Sequence, residues 1–370
     1  MAHNFHALLP ELKDRIQKDF VREIVEDTEE LSGVPYPYVT PGSSKKDALY
    51  YWDSYFINLG LIRLKLVDLA RHNVENIIYL QRKLGYVPCS NRKNKTWRPV
   101  LPLLPWFVRD IYRATGDKDW LSRMLPAVLD EFHFWTTKPH TTPVGLYRYV
   151  KPDGSDFKSI RFSDVDNINP IDLNAMLYRN ALLIYDLQIE TDGNGDKHLQ
   201  QKSDHIKTMF SIFHDNKTGF YYDNIFTAKK LSSIKTLAGF MPLFVEMLEP
   251  DQAAELQKHI KEFIAPGGVM MTSKDYSSKE IDSAYPLITA PYVYFLVKGL
   301  IDHDFMEDAA DIGENWLAMV QENYEKTGEM WEWYNVQEKS VKSKNGIENA
   351  PVLGSTAGAY IALIDALGLE

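Results

Sequence analysis

The sequence predicts an all-α protein, an (α/α)6 barrel in which six helical hairpins close into one ring. Three observations carry this. Helical patterning recurs in about twelve separate stretches, while strand signals are few and short. The connections alternate between short turns and long loops rich in Trp, Tyr, Asp and Glu, the pattern of hairpins whose long loops gather at one end. No fixed repeat is found, which favours a closed ring over an open solenoid. The inner helices of such a ring are expected to be the more apolar ones. Residues 1–370 are expected to form a single domain.

In chain order, residues 7–31 read as an N-terminal helix of the barrel. Leu9, Leu12, Ile16, Phe20 and Ile24 recur at helical spacing, and Gly33, Pro35 and Pro37 stop the pattern. From Asp53 to Leu84 two helices follow almost back to back, with a break near Val67 and Asp68. Helical patterns then occupy 101–115 and 118–135, separated by Gly116-Asp117. Residues 136–170 hold many turn formers and read as irregular. Further helices are predicted over 171–190, 197–213, 232–247, 251–263, 287–302, 305–323 and 352–367. The segment HDNKTGFYYD reads as a turn flanked by aromatics.

Composition limits the function classes. The chain is 45% hydrophobic and 25% charged, a balance that supports a large core. Its net charge of −10, with no basic block, argues against nucleic acid as a partner. A single cysteine, Cys89, excludes an internal disulfide and a cysteine zinc cluster. No run approaches the length of an apolar membrane span, so no membrane partner is expected. The start lacks a basic segment followed by an apolar one, so no secretion signal is read and a cytoplasmic location is expected. His133, His140 and His214 have no metal-ligand spacing, the glycines form no phosphate loop, and no Gly-x-Ser-x-Gly elbow occurs.

The stretch PGSSKKDALYYWDSYF, residues 41–56, gathers Tyr50, Tyr51, Trp52, Tyr55 and Phe56 around Asp53. Aromatic faces stack on sugar rings, and a neighbouring carboxylate accepts hydroxyl hydrogen bonds. The same residues also suit a buried helix start, with Asp53 as a cap. Glycoside hydrolysis needs two carboxylates flanking the bond, one as proton donor and one as nucleophile or base. The long loops offer Asp156 in GSDFKSIRF and Glu332 in MWEWYN, with Asp164, Asp166 and Asp282 as competitors. Apolar neighbours raise a carboxyl pKa, which suits an acid, whereas a close Arg161 would lower that of Asp156. Spacing alone does not choose the pair.

These motifs resemble a known family. PG…YYWDSYF is similar to the first signature of the trehalases, family 37 glycosidases related to family 63. GYVPCSNRKNKTWRP resembles their IPNGNR…RSQPP loop, and GSDFKSIRF their SGWDFSSRWF loop. NPIDLNAMLY is similar to PVDLNALLY, PGGVMMTS to GGIPTS, YPLITAP to part of QWDYPNGWAP, and MWEWYNV to the segment bearing the general base. The likeness runs in order along most of the chain.

The resemblance implies an (α/α)6 inverting α-glycosidase acting on a small α-glucoside, trehalose or a related disaccharide, with no metal or organic cofactor. Asp156 would be the general acid and Glu332 the general base. Trp52, Asp53, Asn91, Arg92, Arg98, Phe157, Tyr285, Trp331 and Trp333 would bind the sugar. Several positions depart from the family: Ser43–Lys46 replace its PGGRF arginine, and Cys89 replaces an Asn. Val100 stands near its Gln, Ser283 and Ala284 replace Trp and Asp, and QEKSVKSKNG replaces a Gly-rich lid. These changes fall mostly on leaving-group contacts, which implies altered specificity. The alternatives are a glucosylglycerate or mannosylglycerate type of hydrolase, with Lys45 and Lys46 meeting a carboxylate, and a sugar-binding homologue without turnover. A sugar epimerase on the same barrel would need a pair of inner-loop histidines.

Overall fold

The first and last helices of the inner ring lie side by side, and their contact closes the molecule. The computed structural model describes residues 4–23, 26–42, 47–96, 100–150, 161, 165–276, 285–343 and 348–369. Its α-helices are α1 (Leu9–Arg15), α2 (Tyr51–Arg63), α3 (Val67–Leu84), α4 (Leu104–Thr115), α5 (Lys118–Thr136) and α6 (Ile171–Asp192). They continue with α7 (Lys197–Met209), α8 (Met241–Phe244), α9 (Pro250–Gln257), α10 (Ala290–Asp302), α11 (Met306–Thr327) and α12 (Leu353–Ala366). The even-numbered helices form the inner ring. Each touches the next, from α2 through α4, α6, α8 and α10 to α12, and α12 returns to α2. Among the outer helices, α3 packs on α2 and α4, α5 on α4 and α6, α7 on α6, and α11 on α10 and α12. This is the (α/α)6 ring that the sequence predicts.

Hydropathy explains the sorting. Every residue from Leu353 to Ile361 on α12 is buried, as is all of α8. On outer α7 only Leu199, Ser203 and Ile206 are buried, the narrow stripe of a helix with one wet face. Small residues set the closing seam. A Cβ on Gly358 would lie 1.9 Å from the Phe56 carbonyl oxygen, and one on Gly60 would lie 2.8 Å from the Gly358 Cα. Only glycine allows backbones this close. The α4–α5 turn follows its sequence: Gly116 takes φ +66°, and the Asp117 carboxylate accepts from the Trp120 N–H at 2.9 Å, capping α5.

Three predicted helices are shorter than expected. The pattern over 7–31 ends at Phe20, as a 3-10 turn (Phe5–Leu8), α1 and a π turn (Ile16–Phe20). Val21–Arg22 then pairs antiparallel with Tyr38–Val39, so the backbone bonds sideways and the helical ladder stops. The pattern over 232–247 yields only a 3-10 turn (Leu237–Phe240) and α8. Thr236 is extended and bridges Thr272, and Glu246 takes φ +54° just beyond α8. The stretch 251–263 likewise shortens to α9 and a 3-10 turn at Ile260–Glu262. Among the described residues, no helix is long and apolar enough to cross a membrane.

Candidate active site

Every long connection leads into the N-terminal end of an inner helix, so the loops share one mouth. They are stitched together there by backbone hydrogen bonds. Tyr51 N–H donates to the Cys89 carbonyl at 2.9 Å, and Asn91 N–H to the Leu49 carbonyl at 3.1 Å. Gly354 N–H donates to the Pro41 carbonyl at 3.0 Å, and Glu332 N–H to the Ala350 carbonyl at 3.0 Å. Leu287–Ile288 pairs with Tyr334–Asn335, which sets the loop before α10 beside the one before α12. The stretches around Tyr51, Asn91, Leu287 and Glu332 therefore converge although they are far apart in the chain.

Trp52 and Asp53 occupy the first turn of α2, both half-buried. Tyr50 and Phe56 are core, as the structural reading of that stretch expects. The Trp52 ring meets Phe56 edge-on at 5.4 Å and Phe295 at 6.0 Å, and lies 6.5 Å from Tyr292, so α10 braces it. Its partial exposure leaves an aromatic surface for an apolar sugar face.

Behind Tyr292 lies a buried ion trio. Arg161 gives both oxygens of Asp172 a hydrogen bond, at 2.6 and 3.0 Å, and both oxygens of Asp223, at 2.9 and 2.7 Å. The three side chains are 3–7% exposed. Asp172 opens α6, where Leu173 N–H donates to it, and Ile171 N–H donates to Asp223. Tyr149 and Tyr292 complete the group. Burial, helped by the charge of Asp172, pushes the Tyr149 hydroxyl well above its usual range and that of Tyr292 up to about 12. Both phenols are neutral at physiological pH.

The predicted site residues fall into three sets. Glu332 and Trp331 are half-buried on the strand-like segment before α12; Trp331 bridges Pro351, and its carbonyl accepts from the Thr356 hydroxyl at 2.8 Å. Tyr285 is half-buried in the neighbouring segment, its N–H on the Thr272 hydroxyl at 3.2 Å. These join Trp52 and Asp53 around the mouth. Two predicted contacts face the interior instead. Asn91 is fully buried, accepting from Leu49 N–H at 2.9 Å and donating to the Ser32 carbonyl at 3.1 Å, so its amide braces the loop. Trp333 is 3% exposed and has little surface to offer a ligand. Arg92 is half-buried opposite Leu31. Asp156, Phe157 and Arg98 lie outside the described residues, as do Lys45, Lys46, Asp164 and Asp282.

Sequence reasoning missed the buried cluster of Tyr149, Asp172 and Asp223 that lies behind Tyr292. Asp172 stands inside NPIDLNAMLY but reads as an ordinary first-turn acid. Asp223 follows FYY and reads as a turn residue. Only the pairing of each with Arg161 reveals them, and that pairing spans 62 positions for Asp223.

Comparisons with known proteins bear on the family and the fold. A family model described as trehalase matches residues 1–154 and 146–368. Trehalase from Arabidopsis thaliana is 25% identical over 441 aligned positions, covering 99% of this chain and 69% of the relative. Periplasmic trehalase from Citrobacter koseri is 25% identical, covering 90% of this chain and 69% of the relative. Neutral trehalase from Saccharomyces cerevisiae superposes with a TM-score of 0.78 at 20% identity, over 97% of this chain and 80% of its own. A GH63 mannosylglycerate hydrolase from Thermus thermophilus gives 0.73 at 15% identity, over 98% of this chain and all of its own. The two structural likenesses speak for the fold, and the family match, covering nearly the whole length, for the lineage: the chain belongs to the trehalase family of glycoside hydrolases.

Proposed function

We propose that the protein hydrolyses a small α-glucoside, trehalose or a related α-linked disaccharide, with inversion at the anomeric carbon. The observation that carries the reading is the convergence of Trp52, Asp53 and Glu332 at one mouth, in a chain matched by the trehalase model almost throughout. Trp52 supplies a stacking face, and Asp53 a carboxylate for ring hydroxyls. In this reading Asp156 gives its proton to the departing glycosidic oxygen. Glu332 takes a proton from the water that attacks C1 from the opposite face. The C1–O bond to the leaving group breaks as the bond to water oxygen forms, and both carboxyls end with their protonation exchanged. Inversion requires the two carboxyls to stand about 6.5–9.5 Å apart, leaving room for that water.

The single Cys89 requires no oxidising compartment for folding and supports a cytoplasmic location. The test is a screen of the purified protein against α-linked disaccharides and glycosyl glycerates, with the first anomer followed by NMR. Release of β-glucose from an α-linked substrate supports the proposal. The leaving glucose of trehalose is α in either case, so a first product that is α-glucose alone, with no β-anomer, overturns inversion. Turnover confined to glycosyl glycerates transfers the site to that substrate class, and sugar binding without turnover makes the chain a binding homologue.

A further inference from the structure

We propose that Thr356 and Tyr334 are positioning residues that aim the Glu332 side chain, so that helix α12, in closing the ring, also places the base. The proposal rests on the reading of Glu332 as that base. The peptide unit between Trp331 and Glu332 is held at both ends. Its carbonyl, on Trp331, accepts from the Thr356 hydroxyl at 2.8 Å, and its N–H, on Glu332, donates to the Ala350 carbonyl at 3.0 Å. A peptide unit is planar, so bonds on opposite edges constrain its tilt, and with it the direction in which the Glu332 side chain leaves the backbone. The neighbouring units are held as well. Val352 N–H donates to the Met330 carbonyl at 2.9 Å, Trp331 N–H to the Tyr334 hydroxyl at 3.1 Å, and the Asn349 amide to the Trp333 carbonyl at 2.8 Å.

Thr356 departs from the usual habit of a helical threonine. Thr115, Thr136, Thr208 and Thr327 turn their hydroxyls back onto the carbonyl four residues earlier in their own helices. Thr356, near the start of α12 and 1% exposed, reaches across to Trp331 instead. Both braces stand on firm ground. Every residue of α12 from Leu353 to Ile361 is buried, and Tyr334 is itself buried in the strand pair with Leu287–Ile288. Such bonds bear on rate through aim, since a displacement of about 1 Å in a reacting group can cost about a hundredfold.

The test uses α-glucosyl fluoride, because fluoride leaves with little proton donation and the rate then reports the base and its water. In the full-length protein, Glu332→Ala is expected to lower kcat by about a thousandfold. Azide, which needs no deprotonation, is expected to restore part of that rate. It attacks C1 in place of water, forming a C1–N bond as fluoride departs with the C1–F electron pair. Thr356→Val, which keeps the shape and loses the hydroxyl, is expected to lower kcat about tenfold with KM nearly unchanged, and to regain rate with azide. Thr356→Ser, which keeps the hydroxyl, is expected to recover most of the loss. If Thr356→Val fails to fold, Tyr334→Phe, which takes away the acceptor for Trp331 N–H, is read by the same split between kcat and KM. An unchanged kcat in the folded brace variant, or a loss that Thr356→Ser shares in full, overturns the proposal and leaves an impaired Glu332→Ala as evidence for the base. Glu332→Ala near the wild-type rate, or a folded wild-type chain inert to the fluoride, brings down the reading of the site and this proposal together.

Discussion

The Tyr51 hydroxyl donates to Glu131 at 2.6 Å, joining the inner helix that bears Trp52 to outer helix α5. The same oxygen of Tyr51 accepts from Leu103 N–H at 2.6 Å, and the second Glu131 oxygen accepts from Leu104 N–H at 3.1 Å. One carboxyl thus holds the starts of α2 and α4 in register. Burial pushes Glu131 up to about 8, against the pull of Tyr51 and Leu104. The folded protein then keeps a proton that the unfolded chain releases near pH 4.5. Between about pH 4.5 and 8 the folded state binds more protons, so stability falls as pH rises through that window and levels off above it. Glu131→Gln, which resembles the protonated acid, should flatten the decline. Urea unfolding at several pH values between about 5 and 8 measures it, and an unchanged slope in the variant would refute the assignment.

Closure of the ring depends on Gly358. Alanine there puts a methyl group 1.9 Å from the Phe56 carbonyl, a clash with backbone that no rotamer relieves. Gly358→Ala is expected to cost about 3 kcal/mol or more, lowering Tm by about 4 °C or more. A calorimetric scan reads this directly, and a loss below about 1 kcal/mol would mean that the seam has slack.

Trp52 offers its face to the mouth while Phe56, Phe295 and Tyr292 hold its edges. Trp52→Ala should therefore raise KM about tenfold, and Trp52→Phe by less, because part of the stacking surface survives. Steady-state kinetics on trehalose decides. An unaltered KM in the alanine variant would remove Trp52 from the sugar platform.

Glu332 is only half-buried, so a neutral isostere is tolerated by the fold. With Glu332 as the proposed general base, Glu332→Gln should lower kcat by about a thousandfold while leaving the thermal midpoint nearly unchanged. Turnover near the wild-type rate would assign the base elsewhere.

Much of the architecture was legible because its causes are local. The apolar runs of α10 and α12, the Gly116-Asp117 turn and the alternation of loop lengths all follow from neighbours in sequence. Helix boundaries failed where distant strands intervened, as at Val21, which pairs with Val39. The half-buried aromatics and carboxylates at the mouth, Trp52, Asp53, Trp331 and Glu332, stand in YYWDSYF and MWEWYN, where the sequence concentrates them. The buried cluster behind Tyr292 was not legible. Asp223 and Asp172 look like turn and helix-start acids until the fold brings Arg161 between them. Asn91 shows the converse: a polar residue in a suggestive loop whose amide is spent on Ser32 and Leu49.

The seam between Phe56 and Gly358 gives translation a say in when this protein works. Residues of α2 leave the ribosome long before those of α12, and domains mature only as their parts emerge. While the segment from Leu353 onward is still in the exit tunnel, α2 has no neighbour on that flank. The ring cannot close until α12 is available to pack on α2, so the mouth is completed last.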